Sequence, residues 1–172
     1  MNLYIDFTTP EKANIFSSLI KYFQKTKYSH IRLRWTNSTG REVIYEASGT
    51  EIKFLGTIAQ KQRSNKILKT YKIELNRDEY RSLIDVCMEL AGIKYGKNQV
   101  VGILLVNLFN LKTNPFSDGR KSQVCSELVA RILEKVKNYH IAYDLDIAGP
   151  REIDLTLEEL SSDFEEVELI HG

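Results

Sequence analysis

Cys125 is the residue whose type and position best suit it for chemistry. It follows a polar loop and lies at the start of a predicted helix, with Ser122 available as the N-terminal cap. A helix N-terminus carries partial positive charge and free N–H groups, which favour a thiolate over a thiol. The same groups could face an oxyanion during acyl transfer. The alternative is that Cys125 is a small buried hydrophobic residue, the commoner role of a cysteine.

His30 and Glu46 could supply the base and the group that orients it. A nucleophilic cysteine needs a base within hydrogen-bond reach, and His30 starts a segment of strict apolar–polar alternation at residues 30–35. Glu46 lies on the next predicted strand, and a hairpin turning at residues 38–39 makes it a near cross-strand neighbour of His30. We therefore expect Glu46 to accept a hydrogen bond from the second ring nitrogen and so to orient the base. The alternative for each is a strand residue without a role.

The elements that must position these residues follow from periodicity and capping signals. Alternating segments predict strands at residues 3–7, 30–35, 42–47, 51–55 and 66–75, with a last strand around 167–169. Helical spacing predicts helices over 9–25, 78–91, 99–109, 122–135 and 155–160. Thr8 or Thr9 is the expected cap of the first helix, and Cys87 falls on the apolar face of the second. Strands grouped before helices favour an α+β fold.

Composition bounds the class of protein. A chain of 172 residues with 42% hydrophobic and 27% charged residues fits one globular domain spanning 1–172. The net charge of +1 gives no reason to expect nucleic acid as a partner, although basic residues concentrate at 19–75 and acidic ones at 144–168. Two cysteines form neither a disulfide framework nor a zinc motif, so we expect no metal and no cofactor. No signal peptide and no transmembrane span are recognisable, which predicts a cytoplasmic location.

Several segments together resemble a known family. Residues 122–130, Ser-Gln-Val-Cys-Ser-Glu-Leu-Val-Ala, look like the Cys-Ser-Glu-Leu-Val motif of circularly permuted NlpC-type cysteine hydrolases, relatives of papain. Residues 28–31 are similar to the Tyr-Ser-His-hydrophobic motif of that family, and residues 44–47 to its strand ending in Glu-Ala. Residues 92–96 resemble its Gly-x-x-Tyr-Asp segment, with Gly96 in place of the Asp. The histidine strand precedes the cysteine helix, which is the permuted order.

The resemblance implies a papain-like antiparallel sheet packed against helices, with the catalytic cysteine at a helix N-terminus. Carried over residue by residue, it implies Cys125 as nucleophile, His30 as base and Glu46 as the orienting residue. It also implies that Tyr28, Ser29 and Ser126 bind substrate. A helix at 9–25 stands where family members have a Gly-Asp strand that leads to the histidine strand. That departure, like Gly96, concerns the substrate cleft.

The implied reaction is acyl transfer by a cysteine hydrolase on an amide bond, of peptide or peptidoglycan type, with the loop at residues 111–121 lining the cleft. Two alternatives remain open. One is a lipid acyltransferase or thiol esterase of the same fold, in which the apolar segment 99–109 forms an acyl pocket. The other is a non-catalytic interaction module that kept the fold. A cell-wall substrate would require delivery by lysis, by another secretion route or by a phage particle, so a phage or virus origin is one option.

Overall fold

A computed structural model describes residues 1–12, 14–56, 65–119, 121–141, 143–160 and 162–167. The described residues form eight strands: β1 Asn2–Pro10, β2 His30–Thr36, β3 Glu42–Ser48, β4 Glu51–Gly56, β5 Asn65–Glu74, β6 Lys94–Tyr95, β7 Ser122–Gln123 and β8 Glu165–Glu166. They also form five helices: α1 Ile15–Phe23, α2 Arg77–Leu90, α3 Lys97–Phe109, α4 Cys125–Lys137 and α5 Pro150–Glu159. Among these helices, none is both long and apolar enough to span a bilayer. The predicted α+β class is confirmed.

The strands form one mixed sheet in the order β7-β6-β4-β3-β2-β1-β5-β8. All described neighbours are antiparallel except β6 and β7, which run parallel. β2 therefore lies near the centre, between β1 and β3, where its backbone is hydrogen-bonded on both sides. A central position restricts movement of the strand that begins at His30.

One face of the sheet is apolar and packs on helices. Alternate residues of the central strands, such as Ile5, Leu33 and Tyr45, are buried there. α4 packs against β2, β3 and α2, and it contributes Leu128 and Ile132 to the same core. Fully burying such a side chain stabilises the fold by about 1.5–3 kcal/mol. The helix that begins at Cys125 is thus fixed directly beneath the strand that begins at His30.

The opposite face carries a buried network of charged and polar side chains. Asp6 accepts hydrogen bonds from Arg34 at 2.8 and 3.0 Å, from Thr70 at 2.9 Å and from Arg32 at 3.4 Å. A buried carboxylate is tolerated only when its lone pairs are satisfied in this way. The network ties β1, β2 and β5 together on the face of the sheet that also holds Glu46.

The β2–β3 hairpin sets the register between His30 and Glu46. Asn37 accepts backbone hydrogen bonds from Thr39 and Arg41, and Gly40 adopts a left-handed φ of 75° that suits glycine. Leu33 pairs with Tyr45, so extending the ladder would place residue 48, rather than Glu46, directly opposite His30. His30 and Glu46 are near cross-strand neighbours, as expected, and are offset by two residues from direct pairing. A shift of two preserves the face on which a side chain lies, so both residues remain on one side.

The first helix begins later than its capping signal predicted. Residues 8–10 continue β1, and the pairing of β1 with β5 extends to the last pair, Pro10 with Asn65. The helix is capped instead by Asn14, whose side-chain oxygen accepts from the Ser17 N–H at 2.8 Å. Pairing with β5 outweighs the local capping preference, so the prediction of a helix from residue 9 is wrong at its start.

Three other boundaries also differ from expectation. Residues 122–123 form β7 beside β6, so α4 starts at Cys125 and Ser122 is not its cap. The helix expected at 155–160 begins earlier, at Pro150, where proline suits the first turn. The strand expected at 167–169 falls mostly outside the described residues, and β8 is formed by Glu165–Glu166.

Candidate functional site

Cys125 is the first residue of α4, and its sulfur lies close to two backbone N–H donors. The preceding Val124 is extended and offers no side-chain cap. The Cys125 sulfur accepts backbone hydrogen bonds from Ser126 and Ile31. These donors belong to the helix N-terminus and to the strand above it, so the packing of α4 on β2 creates the pair. The arrangement favours negative charge on sulfur.

His30 lies between Glu46 and Cys125. Its Nε2 is 3.1 Å from Oε2 of Glu46. Its side chain is also hydrogen-bonded to Cys125, although the two residues are far apart in the sequence. With Nε2 engaged by the carboxylate, Nδ1 is the ring nitrogen left for the sulfur. The expected proximity of these three residues is present.

Glu46 is held in place as well as buried. Only 1% of the residue is exposed, and its Oε1 accepts a hydrogen bond from the Ser48 hydroxyl. A buried carboxylate with one oxygen on serine and the other on imidazole has little freedom to rotate. Glu46 can therefore fix the plane of the His30 ring and stabilise its charge.

The electrostatics favour an ion pair between Cys125 and His30. Burial lowers the pKa of His30, but the adjacent Cys125 sulfur and then the Glu46 carboxylate outweigh it and raise that pKa to about 10. Burial raises the pKa of Cys125, while the His30 charge, its hydrogen bond and the two backbone N–H groups outweigh burial and lower it. The pair titrates as a unit, with thiolate and imidazolium favoured together near neutral pH.

Tyr95 is a residue of the site that sequence reasoning did not assign. Burial, followed by the nearby Cys125 and Glu46, raises its pKa strongly, so the phenol keeps its proton. It lies on the short strand β6, whose partner β7 leads directly into α4. The available signal was its place in the Gly-x-x-Tyr segment. That segment resembled the family motif but did not indicate that the Tyr95 side chain lies close to Cys125.

The part of the site around the Cys125 sulfur is shielded from bulk solvent. A cavity of about 20 Å³ beside the sulfur is enough for roughly one water molecule. Its lining is mostly apolar. Residues of α1, α3 and the start of α5 cover the sulfur, together with residues beside β2, on β6 and at the start of α4: Ile20, Gln24, Ser29, Tyr95, Val100, Ile103, Leu104, Val124, Ser126, Gly149 and Pro150. Cys125 itself is 5% exposed. A nucleophilic cysteine at the start of a helix is expected to be partly exposed. That expectation is wrong for Cys125, because these elements pack over it.

An open groove adjoins the closed cavity through Tyr95. Its volume is about 590 Å³, and the loop at residues 115–118 forms one side, with Lys94, Lys97 and Lys121 on the rim. This groove is much larger than the cavity beside the sulfur, but Cys125 lines the cavity and not the groove. Part of the loop before the cysteine helix lines this groove, and its role at a substrate cleft stays a prediction.

The three residues expected to bind substrate have other contacts. The Tyr28 hydroxyl donates to Asp154 of α5 and is absent from the cavity lining, so its position ties α5 to the sheet. Ser29 borders the cavity, but its hydroxyl is 2.6 Å from that of Ser17 on α1. The Ser126 hydroxyl donates to the Ala148 carbonyl at 2.7 Å. The structure therefore leaves Ser126 a backbone role toward sulfur, and neither serine side chain is free.

Cys87 differs from Cys125 in every respect that matters for reactivity. It is fully buried on α2 within the hydrophobic core. Burial raises the pKa of its thiol, and no cation among the described residues offsets that effect. The two cysteines thus provide a reactive candidate and an internal control. Among the residues that the structure describes, no group of three or more His, Cys, Asp or Glu side chains is arranged to hold a metal ion.

Comparison with known proteins shows a similarity of fold to a solved structure. No family model and no curated protein matches the chain. A solved structure, that of metalloprotein yiiX from Escherichia coli O157:H7, a DUF1105 protein, is similar, with a TM-score of 0.61 and 13% sequence identity. The match covers 97% of this chain and 95% of that one. The arrangement of strands and helices is therefore shared along almost the whole chain.

Proposed function

We propose that the protein is a cysteine hydrolase of permuted papain-like architecture that acts by acyl transfer on an amide bond. The observation that carries the proposal is the position of His30, hydrogen-bonded to both Glu46 and Cys125. A nucleophile, a base and an orienting carboxylate in this order are the parts that acyl transfer needs. The residue motifs that resemble NlpC-type hydrolases fall on these three positions.

The reaction begins from the thiolate–imidazolium pair. The Cys125 sulfur attacks the substrate carbonyl, and the oxyanion that forms is stabilised by N–H groups at the start of α4. Imidazolium His30 then donates its proton to the leaving nitrogen as the C–N bond breaks, which leaves a thioester on Cys125. Neutral His30 next takes a proton from water, whose oxygen attacks the thioester, and the released thiolate restores the pair. Glu46 holds the His30 ring throughout.

Tyr95 has a role that suits its raised pKa. Because its phenol stays protonated next to the sulfur, it can donate a hydrogen bond to the developing oxyanion or to the substrate. Its position between the closed cavity and the open groove places it where a peptide entering along the groove would meet Cys125. The lysines on the groove rim favour a substrate with acidic groups.

A thiol esterase or lipid acyltransferase is a second candidate of the same chemistry. The cavity beside Cys125 is lined by Val100, Ile103 and Leu104 of α3, which would suit an acyl chain once the cavity widened. The two candidates differ in leaving group and in the substrate part that occupies the apolar lining. They share the thioester on Cys125.

The test is acylation by an activated donor. The protein is incubated with a p-nitrophenyl acyl ester, p-nitrophenolate release is followed, and the added mass is located by peptide mass spectrometry. We expect an initial burst and one acyl group on the peptide that carries Cys125. Cys125→Ser should abolish both, whereas Cys87→Ala, the matched control, should retain them. Because the yiiX structure is titled a metalloprotein, the assay is repeated with a chelator, and we expect the same burst.

Acylation that persists in Cys125→Ser, or a wild-type protein that forms no adduct, would contradict the proposal and favour the non-catalytic interaction module. A comparison of short and long acyl chains separates the two catalytic candidates. A strong preference for long chains supports the lipid candidate, and turnover of peptide amides supports the hydrolase.

A further inference from the structure

Helix α1 is amphipathic, but its apolar side faces outward. Ile15, Phe16 and Tyr22 are 78%, 58% and 76% exposed, and Leu19 is also exposed. A surface helix ordinarily turns its apolar stripe toward the core. Single exposed apolar residues are unremarkable on a protein surface, whereas four on a nine-residue helix form a patch that points to an interaction.

The side of α1 that faces the protein is comparatively polar. The buried Ser17 shares a hydrogen bond with Ser29. Gln24, at the end of the helix, is buried and donates to Glu152 of α5 at 3.4 Å. Ile20 is the apolar residue on this side, and it lines the cavity beside Cys125. The helix is thus attached by polar contacts while its larger apolar residues remain uncovered.

Helix α3, which contacts α1, also exposes apolar side chains at its carboxyl end. Leu108 and Phe109 are more than half exposed, and Leu111 just beyond the helix is exposed as well. We call the outward residues of α1 and this end of α3 the α1–α3 surface; its members are Ile15, Phe16, Leu19, Tyr22, Leu108, Phe109 and Leu111. The described chain leaves this surface facing solvent.

The segments that carry the α1–α3 surface are rich in lysine and poor in carboxylates, with Glu11 before α1 and Glu152 beside Gln24 as the nearest acidic groups. No Asp or Glu occurs between residues 12 and 41 or between residues 94 and 117. Lysines lie in or beside the segments that carry these apolar residues: Lys12, Lys21, Lys25, Lys27 and Lys112. Aromatic and aliphatic residues flanked by lysines, with no carboxylate within their own segments, match the interface of an anionic bilayer, where apolar groups enter the acyl boundary and cations meet headgroups.

We propose that the α1–α3 surface binds an anionic membrane surface peripherally. Apolar burial and lysine–headgroup attraction both contribute, so binding depends on the anionic lipid and weakens with salt. A second consequence rests on the proposed function. Ile20 and Gln24 of α1 help to enclose Cys125. Inserting the outer face of α1 into lipid would therefore move these two residues away from the sulfur and open the cavity to substrate.

The test is co-sedimentation of the full chain with vesicles of phosphatidylcholine alone or with about one third phosphatidylglycerol. We expect binding to the anionic vesicles and little to the neutral ones. Phe16→Ser combined with Tyr22→Ser should lower the partition coefficient at least about tenfold. Met88→Ser, which removes an equally exposed apolar side chain from α2, should leave it unchanged. Lys12→Gln combined with Lys25→Gln should weaken binding and flatten its salt dependence.

Equal binding of wild type and the Phe16/Tyr22 variant, or no binding of wild type to anionic vesicles, would overturn the proposal. A concentration-dependent dimer in analytical ultracentrifugation that the Phe16/Tyr22 variant abolishes, without vesicle binding, would assign the surface to a second copy instead. Cys125→Ser should bind vesicles as wild type does. Vesicle binding without any acylation of Cys125 would therefore overturn the proposed function and leave the membrane surface standing.

Discussion

At the scale of single residues, the site is defined by what surrounds one sulfur atom. Cys125 is buried, and burial alone would keep its thiol protonated. The neighbouring His30 and two backbone N–H groups reverse that preference and lower its pKa. Cys87, equally buried but without a cation, shows the unopposed effect. The difference between the two thiols therefore lies in their partners.

Glu46 offers a test of the orienting role by an isosteric change. In Glu46→Gln the side chain can still accept a hydrogen bond from His30, but the negative charge that raises the His30 pKa is lost. The imidazolium is then less stable, and the pKa of Cys125 should rise. The pH profile of iodoacetamide labelling of Cys125 measures this shift.

The matched control for this change lies on the same strand. Glu42→Gln alters a half-exposed carboxylate that contacts Arg34, away from the sulfur, and should leave the profile in place. Equal profiles for wild type and Glu46→Gln would show that the Glu46 charge does not tune the pair and would move the orienting role to another group.

The residue types needed for chemistry could be predicted from sequence because each carried a local signal. Cys125 followed a loop and opened a helix, and His30 opened an alternating strand. Tyr95 could not be assigned, because it reaches the sulfur through pairing of β6 with β7, two short strands without periodicity of their own. The burial of Cys125 could not be predicted either, because the helices that cover it, α1, α3 and α5, come from three separate parts of the chain.

At the scale of elements, tertiary pairing explains most differences from the predicted boundaries. The alternation in β2 and the helical periodicity of α2 were sufficient to predict the positions of these two elements, and both lie within one residue of the expected bounds. The N-terminus of α1 and that of α4 were misplaced because residues 8–10 and 122–123 pair with other strands. Capping preferences contribute about 1 kcal/mol, which a run of strand hydrogen bonds can exceed.

Gly102 tests how closely α3 must approach the loop that precedes the cysteine helix. A Cβ atom there would lie 1.7 Å from Oδ1 of Asn114. The Asn114 side chain is buried and joins Gln99, Asp146 and Phe116 through hydrogen bonds of 2.8–3.1 Å, so it has no room to move aside. Gly102→Ala gains about 1 kcal/mol of helix propensity but loses this junction, and we expect a net destabilisation of about 2 kcal/mol.

Urea unfolding measures the effect of Gly102→Ala. Gly56→Ala is the control, because a Cβ atom there meets no atom of the described residues within 4 Å, and its midpoint should stay close to that of wild type. A stabilised Gly102→Ala protein would mean that the contact between α3 and the loop is looser than the structure shows.

At the scale of the whole molecule, the fold brings together groups that the chain keeps apart. β2 lies between β1 and β3, α4 packs against β2, and the short β7 before α4 joins the sheet at its far edge through β6. The sulfur of Cys125 and the ring of His30 therefore meet across an interface that only the completed fold creates. The α+β class could be predicted from the grouping of strands and helices. The curled mixed sheet, shared with yiiX at 13% identity, could not, because no local pattern encodes strand order.

The central claim is that His30 holds Cys125 as a thiolate, and titration of thiolate absorbance at 240 nm tests it most directly. Cys125→Ser provides the baseline, and the raised pKa of Cys87 keeps that thiol silent. In wild type we expect the Cys125 signal near neutral pH and its loss on acidification, with a midpoint well below the usual value of about 8.5. In His30→Ala the midpoint should rise to about 8.5 or above, because burial then acts unopposed. A wild-type midpoint near 8.5, or the same midpoint in both proteins, would contradict the account.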